Sequence, residues 1–110
     1  MELSKKDRKV AREIIEKGLQ QEFAKGLNKF QTVLTNWNDG KTDNRDAYHN
    51  LYNTIISFDK HIARRYDRMS GSRYLSIIAG QLNDEVIFET DLKELSNEAK
   101  STLKHIAGIE

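Results

Sequence analysis

Apolar residues recur every three or four positions along most of the chain, a spacing that predicts amphipathic helices. One such pattern covers residues 4–37, where Ser4 can cap the helix, and a second covers residues 44–69. The segment between them, residues 38–44, contains an Asp-Gly pair typical of turns and residues suited to capping the next helix. A connection this short favours antiparallel neighbours. The pattern therefore predicts a long antiparallel helical hairpin in which Phe23 and Phe30 face the segment 51–58.

The remaining third of the chain predicts shorter helices. Serine or threonine precedes each apolar run, where its hydroxyl can cap a helix. The apolar residues 86–88 could form an extended lid over the core. The predicted caps and helices are Ser70 or Ser72 before about 73–82, Thr90 before 91–95, and Ser96 before Asn97 to about Ala107. The predicted fold is all-α, a single domain of residues 1–110 in which the hairpin packs with two or three shorter C-terminal helices.

The apolar stripe of the first helix changes direction at Gly18. Leu3, Val10 and Ile14 lie on a face rotated by roughly 120° from the stripe that follows. We expect either a bend in the helix or a change of neighbour at this glycine. Leu3, Val10 and Ile14 are then covered either by the C-terminal helix or by a second copy of the chain in a weak dimer.

Asp59 lies near the centre of the apolar face of the second helix. Desolvating a lone carboxylate costs several kcal/mol or more, so a buried Asp59 needs a partner. We predict that it is buried and bonded to Tyr52, Tyr66 or an arginine, where it would fix the helix register. The alternative is a general base or metal ligand, with Glu22 roughly opposite. His61 cannot assist, since it points about 160° away on the same helix.

Composition narrows the function classes. The 110 residues include no proline and no cysteine, so disulfides and thiolate chemistry are excluded. The N-terminus lacks the apolar core of a signal peptide, and no stretch approaches the roughly 18 apolar residues of a membrane span. We expect a soluble, cytoplasmic protein without membrane attachment. No spacing typical of a metal site, catalytic centre or cofactor fingerprint occurs, so we assign no catalytic residue, metal or cofactor.

The net charge of +1 conceals an uneven distribution. Residues 5–12 and 60–73 are basic, whereas residues 84–98 are acidic. An antiparallel hairpin would bring the two basic segments to the same end. Arginine forks, hydroxyls and a free helix start together suit an anion. The predicted anion-binding residues are Arg64, Arg65, Arg68, Ser70, Ser72 and Arg73. The alternative is that these arginines pair with nearby acids, including those of residues 84–98.

These observations favour a non-enzymatic helical protein-interaction module, which uses its helix faces for a protein partner or for self-association. The alternative function is a nucleic-acid or phosphoryl-anion binding protein that uses the basic junction from Arg64 to Arg73. A basic end left open would favour the second function, and one covered by the acidic segment would count against it.

Overall fold

A computed structural model describes residues 2–108 and shows an all-α protein in which a long first helix packs against shorter ones. The predicted fold class is confirmed, and no strand occurs among the described residues. The helices are α1 (Lys5–Asn38), α2 (Asn44–Tyr66), α3 (Tyr74–Asn83) and α4 (Asn97–Ala107), with short 3-10 turns at Gly71–Arg73 and Glu89–Leu92.

The chain forms two compact units, and α1 contributes to both. The first, which we call the core unit, contains residues 2–22 and 68–108. The second, which we call the hairpin, contains residues 23–67. The single domain of residues 1–110 that the sequence predicts stays a prediction.

The core unit buries most of its apolar side chains, although Met69, Phe88 and Ile106 are exposed. Ile15, Ile78 and Leu103 are among its fully buried residues. Leu3 and Ile14 are buried as well, and Val10 is half-buried. The face for which the sequence allowed two covers is thus covered within the chain, and a second copy is not needed there.

Gly18 lies against Gln81 within the core unit. A side chain at Gly18 would collide with the amide of Gln81, a fully buried residue whose Nε2 donates to the Ile15 carbonyl at 2.9 Å. The helix continues unbroken through this point. The change of neighbour comes about one turn later, since residues up to 22 belong to the core unit and those from 23 to the hairpin.

Side-chain caps begin three of the four helices. The cap oxygen in each case accepts a hydrogen bond from the backbone amide three residues on, which satisfies a donor that has no partner inside the helix. The pairs are Ser4 with Asp7 at 3.0 Å, Asp43 with Asp46 at 2.8 Å, and Ser96 with Ala99 at 3.1 Å. The caps predicted at Ser4 and Ser96 are confirmed, and Asp43 is the cap among the candidates before α2.

The junction between α2 and α3 differs from the prediction. The second helix ends at Tyr66 rather than Met69, and Arg68 has a φ of 60°. Such a left-handed residue cannot continue a right-handed helix. Ser70 makes no capping bond from its side chain, and a 3-10 turn precedes α3. The hydroxyl cap predicted here is therefore wrong.

The short helix predicted at residues 91–95 is a 3-10 turn, Glu89–Leu92. The Asp91 carboxylate accepts a hydrogen bond from the Phe88 amide at 2.8 Å. The side chain that caps this turn is therefore Asp91 and not Thr90. Val86 and Ile87 before it are buried, as expected of a segment that lies over the core.

Candidate interaction surface

Aromatic rings hold the two helices of the hairpin together. Phe58 on α2 lies between Phe23 and Phe30 of α1, with ring centroids 6.2 Å and 5.8 Å away. The interplanar angles of 63° and 85° are the edge-to-face geometry that aromatic pairs prefer. The antiparallel hairpin, with both phenylalanines facing the end of the segment 51–58, is confirmed.

Gly26 allows the close approach of the two helices. A Cβ at this position would lie 2.5 Å from the Phe58 ring, a distance that real atoms do not tolerate. Glycine within a helix costs about 1 kcal/mol relative to alanine, and the packing of Phe58 offsets that cost. Gly26 opposite Phe58 also marks the register of the antiparallel pair.

The closed end of the hairpin is fixed by a side-chain hydrogen bond. The Trp37 indole Nε1 donates to Asn44 Oδ1 at 2.7 Å and joins the end of α1 to the start of α2. Gly40 between them has a φ of 75°, a conformation that glycine adopts without strain. The turn expected from the Asp-Gly pair is therefore present.

Large apolar side chains are exposed along one side of the hairpin. Two packed helices bury only the strip along their contact line, and the apolar stripes here are wider than that strip. The exposed fractions are 41% for Phe23, 64% for Leu27 and 42% for Leu34 on α1, and 68% for Tyr48, 58% for Tyr52 and 41% for Ile55 on α2. We call the side of the hairpin that carries these six residues the open face.

The two halves of the open face lie on the same side of the hairpin. At roughly 100° per residue, all six side chains lie about 60–120° round from the Gly26–Phe58 contact, counted in the same sense on each helix. Because the helices run antiparallel, the same sense of rotation on both brings the two sets to one side. The result is a continuous apolar surface and not two separate stripes.

The open face is poor in charge. Within about 60–160° of the contact line, residues 23–38 of α1 place no charged side chain, and α2 places only Arg45 and Asp59. Depletion of charge and enrichment of tyrosine and phenylalanine are typical of the cores of protein interfaces. The composition of this surface therefore resembles an interface more than a solvated helix face.

Asp59 is exposed on the open face, so the prediction of a buried carboxylate is wrong. Its side chain lies about 100° round the helix from Phe58, beyond the strip that α1 covers. The sequence correctly indicated the apolar side of α2 but not how little of that side α1 hides.

A metal site at Asp59 finds no support. Glu22, its proposed companion, is buried, whereas Asp59 is exposed. Across residues 2–108, no three histidine, aspartate or glutamate side chains come together in a way that could hold a metal ion.

The six residues predicted to bind an anion are divided between the two units. Arg64 and Arg65 lie in the last turn of α2, in the hairpin. The other four lie in the core unit, where two contacts bring them together in pairs. The Ser70 and Ser72 hydroxyls are 3.0 Å apart, and Arg73 Nη1 donates to the Arg68 carbonyl at 3.5 Å.

The first basic segment does reach the segment 68–73. The Cδ atom of Arg8 lies 3.5 Å from the position that a Cβ on Gly71 would occupy. Residues 5–12 and 68–73 therefore converge within the core unit, as the sequence predicted.

Two acids of the segment 84–98 pair with lysines. Asp91 bonds to Lys17, and Glu89 lies 3.5 Å from Lys104. The Lys17 hydrogen bond is the main reason that the pKa of Asp91 is lowered. Part of the acidic segment thus neutralises lysines of α1 and α4.

Asp7 is a polar anchor of the core unit that the sequence did not reveal. Its buried carboxylate accepts from the Ser96 hydroxyl at 2.6 Å and from the Ser96 amide at 2.9 Å. The bond from the Ser96 side chain is the largest cause of the lowered pKa of Asp7, and the backbone bond adds to it. The partners are 89 positions apart, so no local sequence signal could have paired them.

Among residues 2–108, none of the helices combines the length and apolar character needed to cross a bilayer. Comparison with protein-family models, with curated proteins and with solved structures gives no match for this chain.

Proposed function

We propose that the protein is a non-enzymatic helical interaction module and that the open face of the hairpin is where a protein partner docks. The observation that carries this proposal is the exposure of large apolar side chains from both helices on a single side. Monomeric proteins rarely expose contiguous apolar patches larger than a few hundred Å², and larger ones mark interaction sites.

Docking on this surface has a clear driving force. Fully burying one large apolar side chain stabilises by about 1.5–3 kcal/mol, so covering the exposed half of each recovers about 1 kcal/mol. Several side chains acting together offset the loss of translational and rotational freedom on association. The exposed tyrosines Tyr48 and Tyr52 add rigid rings whose hydroxyls can bond to a partner.

A pull-down from native lysate tests the proposal. We expect Leu27→Glu and Tyr48→Glu each to lose proteins that the unaltered chain retains, because a carboxylate on the open face opposes its burial. The matched control is Asn50→Glu, which adds the same charge at an exposed position on the opposite side of α2. Nuclease treatment should leave the retained proteins unchanged, and circular dichroism should show unaltered helix content in all variants.

If all three variants retain the same proteins as the unaltered chain, the open face is not the docking surface. A set that disappears after nuclease treatment would point to nucleic acid instead.

One observation favours a second candidate function, the binding of nucleic acid or another phosphoryl anion in the core unit. Arg8 lies against Gly71, so two basic segments meet beside Arg68 and Arg73. Arginine binds phosphate through paired hydrogen bonds, and bound nucleic acid releases counterions.

If the second candidate is correct, adding the protein to short, fluorescently labelled DNA or RNA at low salt should raise the fluorescence anisotropy. The affinity should fall steeply as the salt concentration rises. Arg68→Ala combined with Arg73→Ala should weaken binding to all sequences. The control pair Lys29→Ala and Lys41→Ala removes the same charge from exposed positions of the hairpin. Equal losses from both pairs, or no binding at low salt, would exclude a specific site.

A further inference from the structure

We infer that the partner of the open face is a second copy of this chain. In this dimer the two α2 helices face each other antiparallel, related by a two-fold axis at the level of Tyr52. This inference rests on the proposed function, because it uses the same surface. It adds the identity of the partner and the register of the contact.

The charges on the open face carry the inference. Arg45 and Asp59, the two charged residues that α2 places on this side, lie seven positions before and seven positions after Tyr52. Both are exposed. An antiparallel pair of α2 helices centred at Tyr52 places Asp59 of each copy opposite Arg45 of the other. Opposite charges at equal distances from one centre make a surface complementary to itself, as a two-fold dimer requires.

The same axis is compatible with α1. Gly26 lies opposite Phe58, so the height of Tyr52 on α2 corresponds to that of about Thr32 on α1. The α1 helices of the two copies then also run antiparallel, which brings Leu34 near Phe30 of the second copy. Residues 23–38 place no charge on this side, so apolar surface meets apolar surface.

The area is sufficient for a weak dimer. The six half-exposed side chains of the open face offer on the order of 600 Å² for each copy, near the lower limit for a specific protein interface. The net charge of +1 gives little repulsion between copies. Covering both open faces produces a four-helix arrangement in which Asp59 and Arg45 pair across the interface.

Cysteine crosslinking tests the position of the axis. The natural chain contains no cysteine, so one introduced thiol can react only with its copy. We expect Tyr52→Cys to form a disulfide-linked dimer rapidly under a mild oxidant. The control Ser57→Cys, exposed on the opposite side of α2, should react at least about tenfold more slowly, since a disulfide needs Cα atoms within about 7 Å.

Charge reversal tests the pairing. Asp59→Arg and Arg45→Asp should each weaken the dimer about tenfold in sedimentation equilibrium, because each change makes two symmetry-related pairs repulsive. The double variant restores opposite charges and should return the dissociation constant to within about threefold of the original. High salt should reduce the effect of the single changes.

A chain that remains monomeric at all concentrations would overturn the self-association and leave the proposed function to stand on the pull-down. A dimer unaffected by Leu27→Glu would place self-association on another surface and overturn the inference. A double variant as weak as the single ones, or equal crosslinking rates at positions 52 and 57, would overturn the register. Failure of both the sedimentation and the pull-down experiments would remove the proposed function as well.

Discussion

The core unit and the hairpin use similar apolar patterns with opposite results. In the core unit Ile78 and Leu103 are completely buried, because helices meet α1 and each other on several sides. In the hairpin Leu27 and Tyr48 remain about two-thirds exposed, because the contact between α1 and α2 covers only one strip of each helix. An amphipathic stripe therefore indicates which side of a helix is apolar, whereas the packing around that helix decides how much of the side is buried.

The largest expected difference between the units is in the cost of truncating an apolar side chain. Ile78→Ala should lower the free energy of unfolding by about 2–5 kcal/mol, since it leaves a cavity in a closed core. The matched change Leu27→Ala should alter it by less than about 1 kcal/mol, because most of that side chain already contacts water. Urea denaturation measures both values. Equal costs would break the contrast between the units.

A second change tests how tightly the hairpin is closed along its contact line. Gly26→Ala should destabilise by about 1–3 kcal/mol, although alanine favours helices, because its Cβ would overlap the Phe58 ring. Combining it with Phe58→Leu, which removes the ring, should recover part of the loss if the overlap is the cause. Thermal denaturation of the single and double variants gives the comparison. A stabilising Gly26→Ala would show that the helices are farther apart.

A third change tests the polar anchor of the core unit through its pH dependence. The folded pKa of Asp7 is lowered, so its contribution to stability is present above the ordinary value of 3.8 and is lost as pH falls below that value toward the folded pKa. Asp7→Asn should cost about 1–3 kcal/mol at neutral pH and make stability less dependent on pH below about 4. Urea denaturation across this pH range is the measurement. An unchanged pH profile would exclude the anchor.

The smallest expected effect is at Asp59. Because this carboxylate is exposed, Asp59→Ala should change the stability of dilute protein by no more than about 0.5 kcal/mol. The burial of Asp59 that the sequence predicts would instead imply a substantial loss of stability. A large loss in dilute protein, measured by urea denaturation, would show that Asp59 supports the hairpin from within.

Local features of the fold could be predicted from the sequence. Helix spacing, the Asp-Gly turn and the hydroxyls of Ser4 and Ser96 act over a few residues, so their outcome is visible in a short segment. The convergence of Arg8 with the segment 68–73 also followed, since it depends only on helix direction.

Features that depend on distant neighbours could not be predicted. Asp7 lies in the first turn of α1, yet its carboxylate accepts a hydrogen bond from Ser96, far along the chain. Asp59 shows the same limit for the candidate site. Its place on the apolar side of α2 was correctly identified, but its exposure depends on how narrow a strip of α2 is covered by α1.

Hydrogen exchange as a function of protein concentration tests the central claim most directly. In dilute protein we expect amides of the hairpin, residues 23–67, to exchange faster than those of the core unit, because fewer neighbours stabilise them. Raising the concentration should slow exchange selectively in the hairpin as the open faces of two copies cover each other. Hairpin amides that are as protected as the core at high dilution, or a slowing confined to residues 2–22 and 68–108, would contradict it.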